Sequence, residues 1–165
     1  AKMGVASVLF SFGIPFIHEG QEIAQSKFGK DNTYNLPDVY NKFSYRLLDE
    51  RKAMYDYFRS LVALRKKWRF LHVYDPRVIA PMVDLADDGG LLLIKITDPN
   101  EVAPYEEVDF LLNPTGENLS HLFPEERSVL VDTSGDVSSS NTLVQNAIVP
   151  KHSILVYGRL PKAVK

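Results

Sequence analysis

Apolar residues recur along this chain with two different periods, and the change falls near residue 73. In the first part the spacing is three and four. Met3, Val5, Val8, Leu9 and Phe12 predict a helix over residues 2–12 that Gly13 ends. Met54, Tyr57, Phe58, Leu61, Leu64 and Trp68 form one stripe, which predicts a helix over residues 50–70. Arg51, Lys52, Asp56, Arg59, Arg65 and Lys66 lie mostly off that stripe, and Asp49 is the expected N-cap. Between the two helices, Ile14 to Ile17 is too short for a helix and carries Pro15, so it reads as a short buried strand.

Beyond residue 73 the runs are short and rich in β-branched residues. They predict strands at Val78–Val83, Leu91–Thr97, Val108–Leu112, Ser128–Val131, Leu143–Val149 and Ser153–Arg159. Asp87-Asp-Gly-Gly90, Asp98-Pro-Asn100, Asn113-Pro-Thr-Gly116 and Pro150 separate them, and the stretch from Thr133 to Ser140 reads as a loop. No helix-period pattern lies between these strands to serve as a crossover. The strands are therefore expected to be antiparallel, in a sandwich or an open barrel.

Composition narrows the chemistry. The chain has 165 residues, a formal net charge of −2 and no cysteine. Thiol catalysis, disulfides and cysteine-based zinc sites are excluded. The charge makes no electrostatic case for nucleic acid or an anionic membrane as partner, and no apolar run approaches a membrane-spanning length. Neither a cofactor nor a metal site is expected. Asp87 and Asp88 before two glycines suit a hairpin turn better than a calcium loop, and the histidines show no ligand spacing. The chain opens within an apolar helix-like run, as a truncated chain would, so the compartment is not legible.

The richest segment is Gly13 to Glu22, read GIPFIHEGQE, where an apolar run stops abruptly in charged and polar residues. Its pattern Gly13-x-Pro15-x-x-x-x-Gly20-x-Glu22 resembles the eighth-strand signature of the α-amylase superfamily. The following stretch, with Asp31-Asn-Thr-Tyr-Asn35, Asp38 and Asn41, is similar to the type I pullulanase subgroup, which cleaves α-1,6 links in α-glucans. Leu61-Val-Ala-Leu-Arg-Lys-Lys67 looks like the end of the barrel's last helix. Ser44-Tyr45 departs from the Asp-Trp that relatives often carry after the final Asn, and His18-Glu19 stands where many have smaller or amide residues.

The resemblance implies an α+β fold: residues 1–72 as the last strand, loop and helix of a (β/α)8 catalytic barrel, and residues 73–165 as a C-terminal antiparallel β-sandwich. It implies a starch-debranching hydrolase with an α-glucan substrate. The catalytic acids would come from earlier strands, so no catalytic residue is expected here and the isolated chain is expected to be inactive. Loops after barrel strands wall the active-site cleft, which makes Tyr34, Asn35, Asp38 and Asn41 the candidate substrate-binding residues. Glu19 and Glu22 are expected to be structural or solvated, and His18 a satisfied buried or rim histidine. The alternatives are a non-catalytic carbohydrate-binding or stabilising β-domain, which would expose aromatics on its sheet, and the tail of an α-1,4-acting amylase. A strand without neighbours leaves backbone groups unpaired. Residues 1–45 are therefore expected to be rearranged, poorly ordered, or docked onto a second copy through the exposed barrel remnant.

Overall fold

In a computed structural model of the chain, which describes residues 1–97, 99, 105–133 and 142–161, six antiparallel strands carry a cap of helices. Helix α1 spans Lys2–Leu9, α2 Asp38–Asn41, α3 Tyr45–Glu50, α4 Lys52–Lys67 and α5 Pro76–Ile79, with short 3-10 turns at Gln21–Ile23 and Arg69–His72. The strands are β1 Val83–Asp88, β2 Leu91–Thr97, β3 Glu107–Asn113, β4 Leu119–Val131, β5 Leu143–Val149 and β6 Ser153–Arg159.

The apolar stripe of α4 does what its spacing predicts. Met54, Tyr57, Leu61, Leu64 and Trp68 are buried, and Phe58 packs against the same core. The helix starts later than expected. Residues 45–50 form the separate α3, Arg51 breaks the path, and no side chain caps either helix, so Asp49 is not an N-cap. Helix α1 packs into the core through Val5, Ala6 and Leu9, so the expectation that residues 1–45 are rearranged, poorly ordered or docked onto a second copy does not hold for it.

Two strand expectations need correction. Val78–Val83 is not a strand: Asp75 accepts a hydrogen bond from the Arg77 backbone N–H, Pro76 follows at the first helical position, and a helical turn forms. Strand β4 begins nine residues before Ser128, at Leu119. Its charged middle and Pro124 hid it, and its ladder to β5 is irregular between Leu122 and Arg127. The β1–β2 hairpin turns through Gly89 and Gly90, with φ of +62° and +94°, the left-handed backbone that a two-residue turn requires. The Asp98-Pro-Asn100 turn and most of the Thr133–Ser140 loop lie outside the described residues.

The antiparallel expectation is correct, and the strands form one continuous sheet in the order β1-β2-β3-β6-β4-β5, compatible with the expected sandwich or open barrel. Strands three and four places apart in a flat sheet would lie about 14 and 19 Å from each other. Here Asn113 Nδ2 of β3 donates to the Val149 carbonyl of β5 at 2.8 Å, and His121 Nδ1 of β4 lies 2.8 Å from Asp88 Oδ2 of β1. The sheet therefore curls, bringing β3 to β5 and β1 to β4. Its outer face carries Ile96, Val108, Phe110, Ile154 and Val156 against α1, α4 and the Arg69–His72 turn. Its inner face closes on Leu91, Leu111, Phe123, Val149 and Leu155. Strands β3 and β6 are buried on both faces, and each carries an apolar run without alternation, Phe110–Leu112 and Ile154–Tyr157.

The candidate substrate loop and its supports

The segment entering the loop is not a buried strand. Residues 14–18 have no regular structure, and Ile14 and Phe16 are 94% and 87% exposed. Ile17 faces the other way, onto the main core. A strand needs a neighbour to accept and donate along its length. Among the described residues none lies beside this one, and the Gly13 N–H, at its start, bonds the Leu71 carbonyl instead at 2.8 Å. What holds the entry is Arg65. Its guanidinium donates to the carbonyls of Leu9, Ser11 (2.7 Å), Gly13 (2.5 Å) and Leu71 (3.2 Å). The Leu9, Ser11 and Gly13 oxygens lie at the negative end of α1 and just past it, where a cation is favoured, and Leu71 belongs to the Arg69–His72 turn. Burial pulls the guanidinium below its ordinary value, and the side chain, expected off the apolar stripe, is buried beneath it.

The loop proper begins at Gly20, whose φ is +87°. A Cβ there would fall 2.9 Å from the Cβ of Gln25, so the turn needs glycine twice over. The Gln21–Ile23 turn follows, with Ile23 wholly buried beside α4. Arg51 then donates to the carbonyls of Ile23 (3.0 Å) and Ala24. Gln25 donates from Nε2 to the Lys42 carbonyl at 2.9 Å and accepts from the Ser44 N–H at 3.1 Å.

All four expected site residues fall in this one loop. Tyr34, 82% exposed, and Asn35 sit on a turn whose Leu36 N–H bonds the Thr33 carbonyl. Asp38 and Asn41 open and close α2, and the Asp38 side chain faces solvent. Asn41 Nδ2 donates to the carbonyls of Thr33 (2.6 Å) and Leu36 (3.2 Å), while its Oδ1 lies 3.5 Å from Lys27 Nζ. Both amide hydrogens are thus engaged within the loop, and they draw the Tyr34–Asn35 turn against α2. Phe28 meets Tyr40 edge-on at 6.0 Å behind it. Gln25 and Arg51 were not singled out from the sequence; no spacing marks a side chain that bonds backbone 17 and 27 residues away.

Nearby, His18 Nδ1 donates to the Glu19 carbonyl at 2.6 Å, a rim histidine with a local partner. Elsewhere one carboxylate pair invites a catalytic reading. Glu107 and Asp109 lie on the inner face of β3, both buried. Arg127 binds both, at 2.6 Å to Glu107 and 2.8 Å to Asp109, and its guanidinium also stacks on Phe123. Burial pushes the Asp109 carboxyl up, and Arg127 draws it back. Two acids bound to one guanidinium cannot serve as nucleophile and proton donor on opposite sides of a glycosidic bond. They form a structural ion pair. Among the described residues no group of three ligating side chains could hold a metal ion, and no helix is long and apolar enough to cross a membrane.

This curled sheet, helical cap and tethered loop together make a fold found in pullulanases: the pullulanase from Bacillus acidopullulyticus superposes with a TM-score of 0.86 over 96% of this chain and 20% of its own, at 22% identity. Pullulanases are also homologues of the chain by sequence. The pullulanase of Bacillus subtilis (strain 168) is 25% identical over 137 residues, 81% of this chain and 19% of that protein. An isoamylase of Flavobacterium sp is 33% identical over 66 residues, 40% of this chain and 8% of that protein. The chain thus spans about a fifth of the length of the pullulanases it matches. No family model matches it.

Proposed function

We propose that this chain is part of a debranching glycoside hydrolase that cleaves α-1,6-glucosidic bonds in α-glucans. On this reading residues 1–72 contribute the last strand, substrate loop and last helix of a (β/α)8 barrel, and residues from 73 onward form the accessory β-domain. The carrying observation is the contrast at residues 13–44. A segment with exposed Ile14 and Phe16 and, among the described residues, no ladder partner runs directly into a loop held by specific side-chain ties. A barrel's eighth strand has neighbours on both sides, and its loop lies at the mouth of the active site. Tyr34, Asn35 and Asp38 are the residues offered to sugar. Asn41 acts on the substrate side by holding them in place.

The binding-module alternative lacks support. Phe110, Phe123 and Tyr157 are all 3% exposed, so the sheet offers no row of aromatic platforms. The catalytic acids belong to the rest of the barrel, and the chain alone hydrolyses nothing.

The test is complementation. The purified chain incubated with pullulan should release no reducing ends. Mixed with a separately produced pullulanase barrel lacking this region, it should restore release, and I14D/F16D should abolish that restoration while leaving the chain's own melting temperature unchanged. Hydrolysis of pullulan by the chain alone would end this reading.

A further inference from the structure

We infer that Gln25 is the positioning residue of the substrate loop, its side chain standing in for a strand. This rests on the reading of residues 28–41 as that loop. In a parallel β-bridge, one residue donates its N–H to the carbonyl before its partner and accepts from the N–H after it. The Gln25 carboxamide does the same around Phe43. Nε2 donates to the Lys42 carbonyl at 2.9 Å, and Oε1 accepts from the Ser44 N–H at 3.1 Å. Lys42 and Ser44 have extended backbones, with φ, ψ of −64°, 128° and −101°, 96°, as such a bridge requires.

Three features make the bridge directional. The Gln25 N–H bonds the Gly20 carbonyl at 2.8 Å, which fixes the backbone from which the side chain departs. Gly20 has no Cβ, and that leaves room for the Gln25 side chain to pass. Arg51 holds the two preceding carbonyls. The Gln25 side chain therefore pins the exit of the loop to its entry, beyond the longer Lys27–Asn41 bond and the Phe28–Tyr40 ring contact. The helical turn Asp38–Asn41, which ends one residue before Lys42, inherits its orientation from that pin. Only a glutamine has both the reach and the paired donor and acceptor. Asparagine is one methylene short, and a glutamate carboxylate has no proton for Lys42.

Hydrogen exchange of the full chain tests this. Gln25→Met keeps the shape and removes both bonds. Gln25→Glu keeps the acceptor for Ser44 and regains a donor only when its carboxyl is protonated. At pH 7 both variants should speed exchange of the Leu36, Tyr40, Lys42 and Ser44 amides about tenfold or more, with amides of α4, β3 and β6 unchanged. At pH 4, with each rate referred to the wild-type chain at the same pH, Gln25→Glu should recover much of its protection and Gln25→Met none. Maltotetraose should perturb the Tyr34, Asn35 and Asp38 amides of the wild-type chain, with about tenfold weaker affinity in Gln25→Met. Loop exchange in Gln25→Met equal to wild type would overturn the inference. Faster exchange in the variant with no maltotetraose response in the wild type would uphold the pin and count against the substrate reading instead.

Discussion

The helical cap and the curled sheet each bury one arginine, and the two arginines solve opposite problems. Arg65 in the cap faces four neutral carbonyl oxygens and, among the described residues, no carboxylate. Arg127 in the sheet faces the carboxylates of Glu107 and Asp109. Around residues 9–13 the chain leaves a helix and enters a segment with no ladder, so its carbonyls need a donor from elsewhere, and a planar guanidinium can serve several at once. In the sheet the ladder already satisfies the backbone. The inner face carries two acids on alternate positions of β3, and a cation must balance them. One arginine replaces missing secondary structure; the other neutralises charge.

The largest test of that contrast is Arg127→Met. It removes the main partner of two buried carboxylates, leaving Glu107 the longer 3.7 Å pair with Arg159, and should lower unfolding free energy by about 3–5 kcal/mol in urea titrations. Without the guanidinium, burial and the neighbouring Glu107 charge raise the Asp109 carboxyl further, with Lys95 opposing them. A raised carboxyl costs stability as pH climbs through its titration, so the deficit should be smallest in acid and grow toward neutrality. Arg65→Met should cost less, about 3 kcal/mol, because it strands carbonyls rather than charges and Leu71 keeps its bond from the Gly13 N–H. Its deficit should not shrink in acid, and equal pH dependence in the two variants would break the comparison.

The smallest effect touches both regions alike. Burial pushes Tyr57 of α4 and Tyr157 of β6 up to about 12, with Asp132 adding to the rise at Tyr57. Below pH 10 both states are neutral at these sites. Above it the unfolded chain loses its protons first, so stability should fall between about pH 10 and about pH 12, by no more than about 2.7 kcal/mol per tyrosine. Tyr57→Phe and Tyr157→Phe should each flatten part of that fall in melts taken across the range. An unchanged alkaline slope in both variants would show that these hydroxyls are not the groups responsible.

Periodicity made much of the fold legible. The α4 stripe, with Leu61 wholly buried at its centre, and the three strands whose ends match their apolar runs are local patterns with one good solution each. The loop was legible as a cluster of polar and turn-forming residues with Tyr34, Asn35, Asp38 and Asn41 inside it. Its order was not. Asn41 reads as a substrate ligand because asparagine suits a sugar hydroxyl, yet its amide hydrogens bond two carbonyls of its own loop. The Ile14–Ile17 segment reads as a buried strand because its residues are apolar, yet burial needs neighbours that lie beside none of the described residues.

By itself the sequence determined the apolar stripe of α4, the strands β2, β5 and β6, which residues are apolar enough to form the core, and that a polar loop follows the apolar segment 14–17. Those properties depend on neighbours a few residues away. Only the tertiary structure decided that six strands make one curled sheet, that Arg127 lies across β6 from two acids of β3, that Arg65 collects carbonyls from three segments, and that Gln25 closes the loop. Each of these joins groups remote in sequence through geometry that no spacing encodes. A hydrogen bond depends on tenths of an ångström, whereas a hydrophobic pattern specifies only which face is dry.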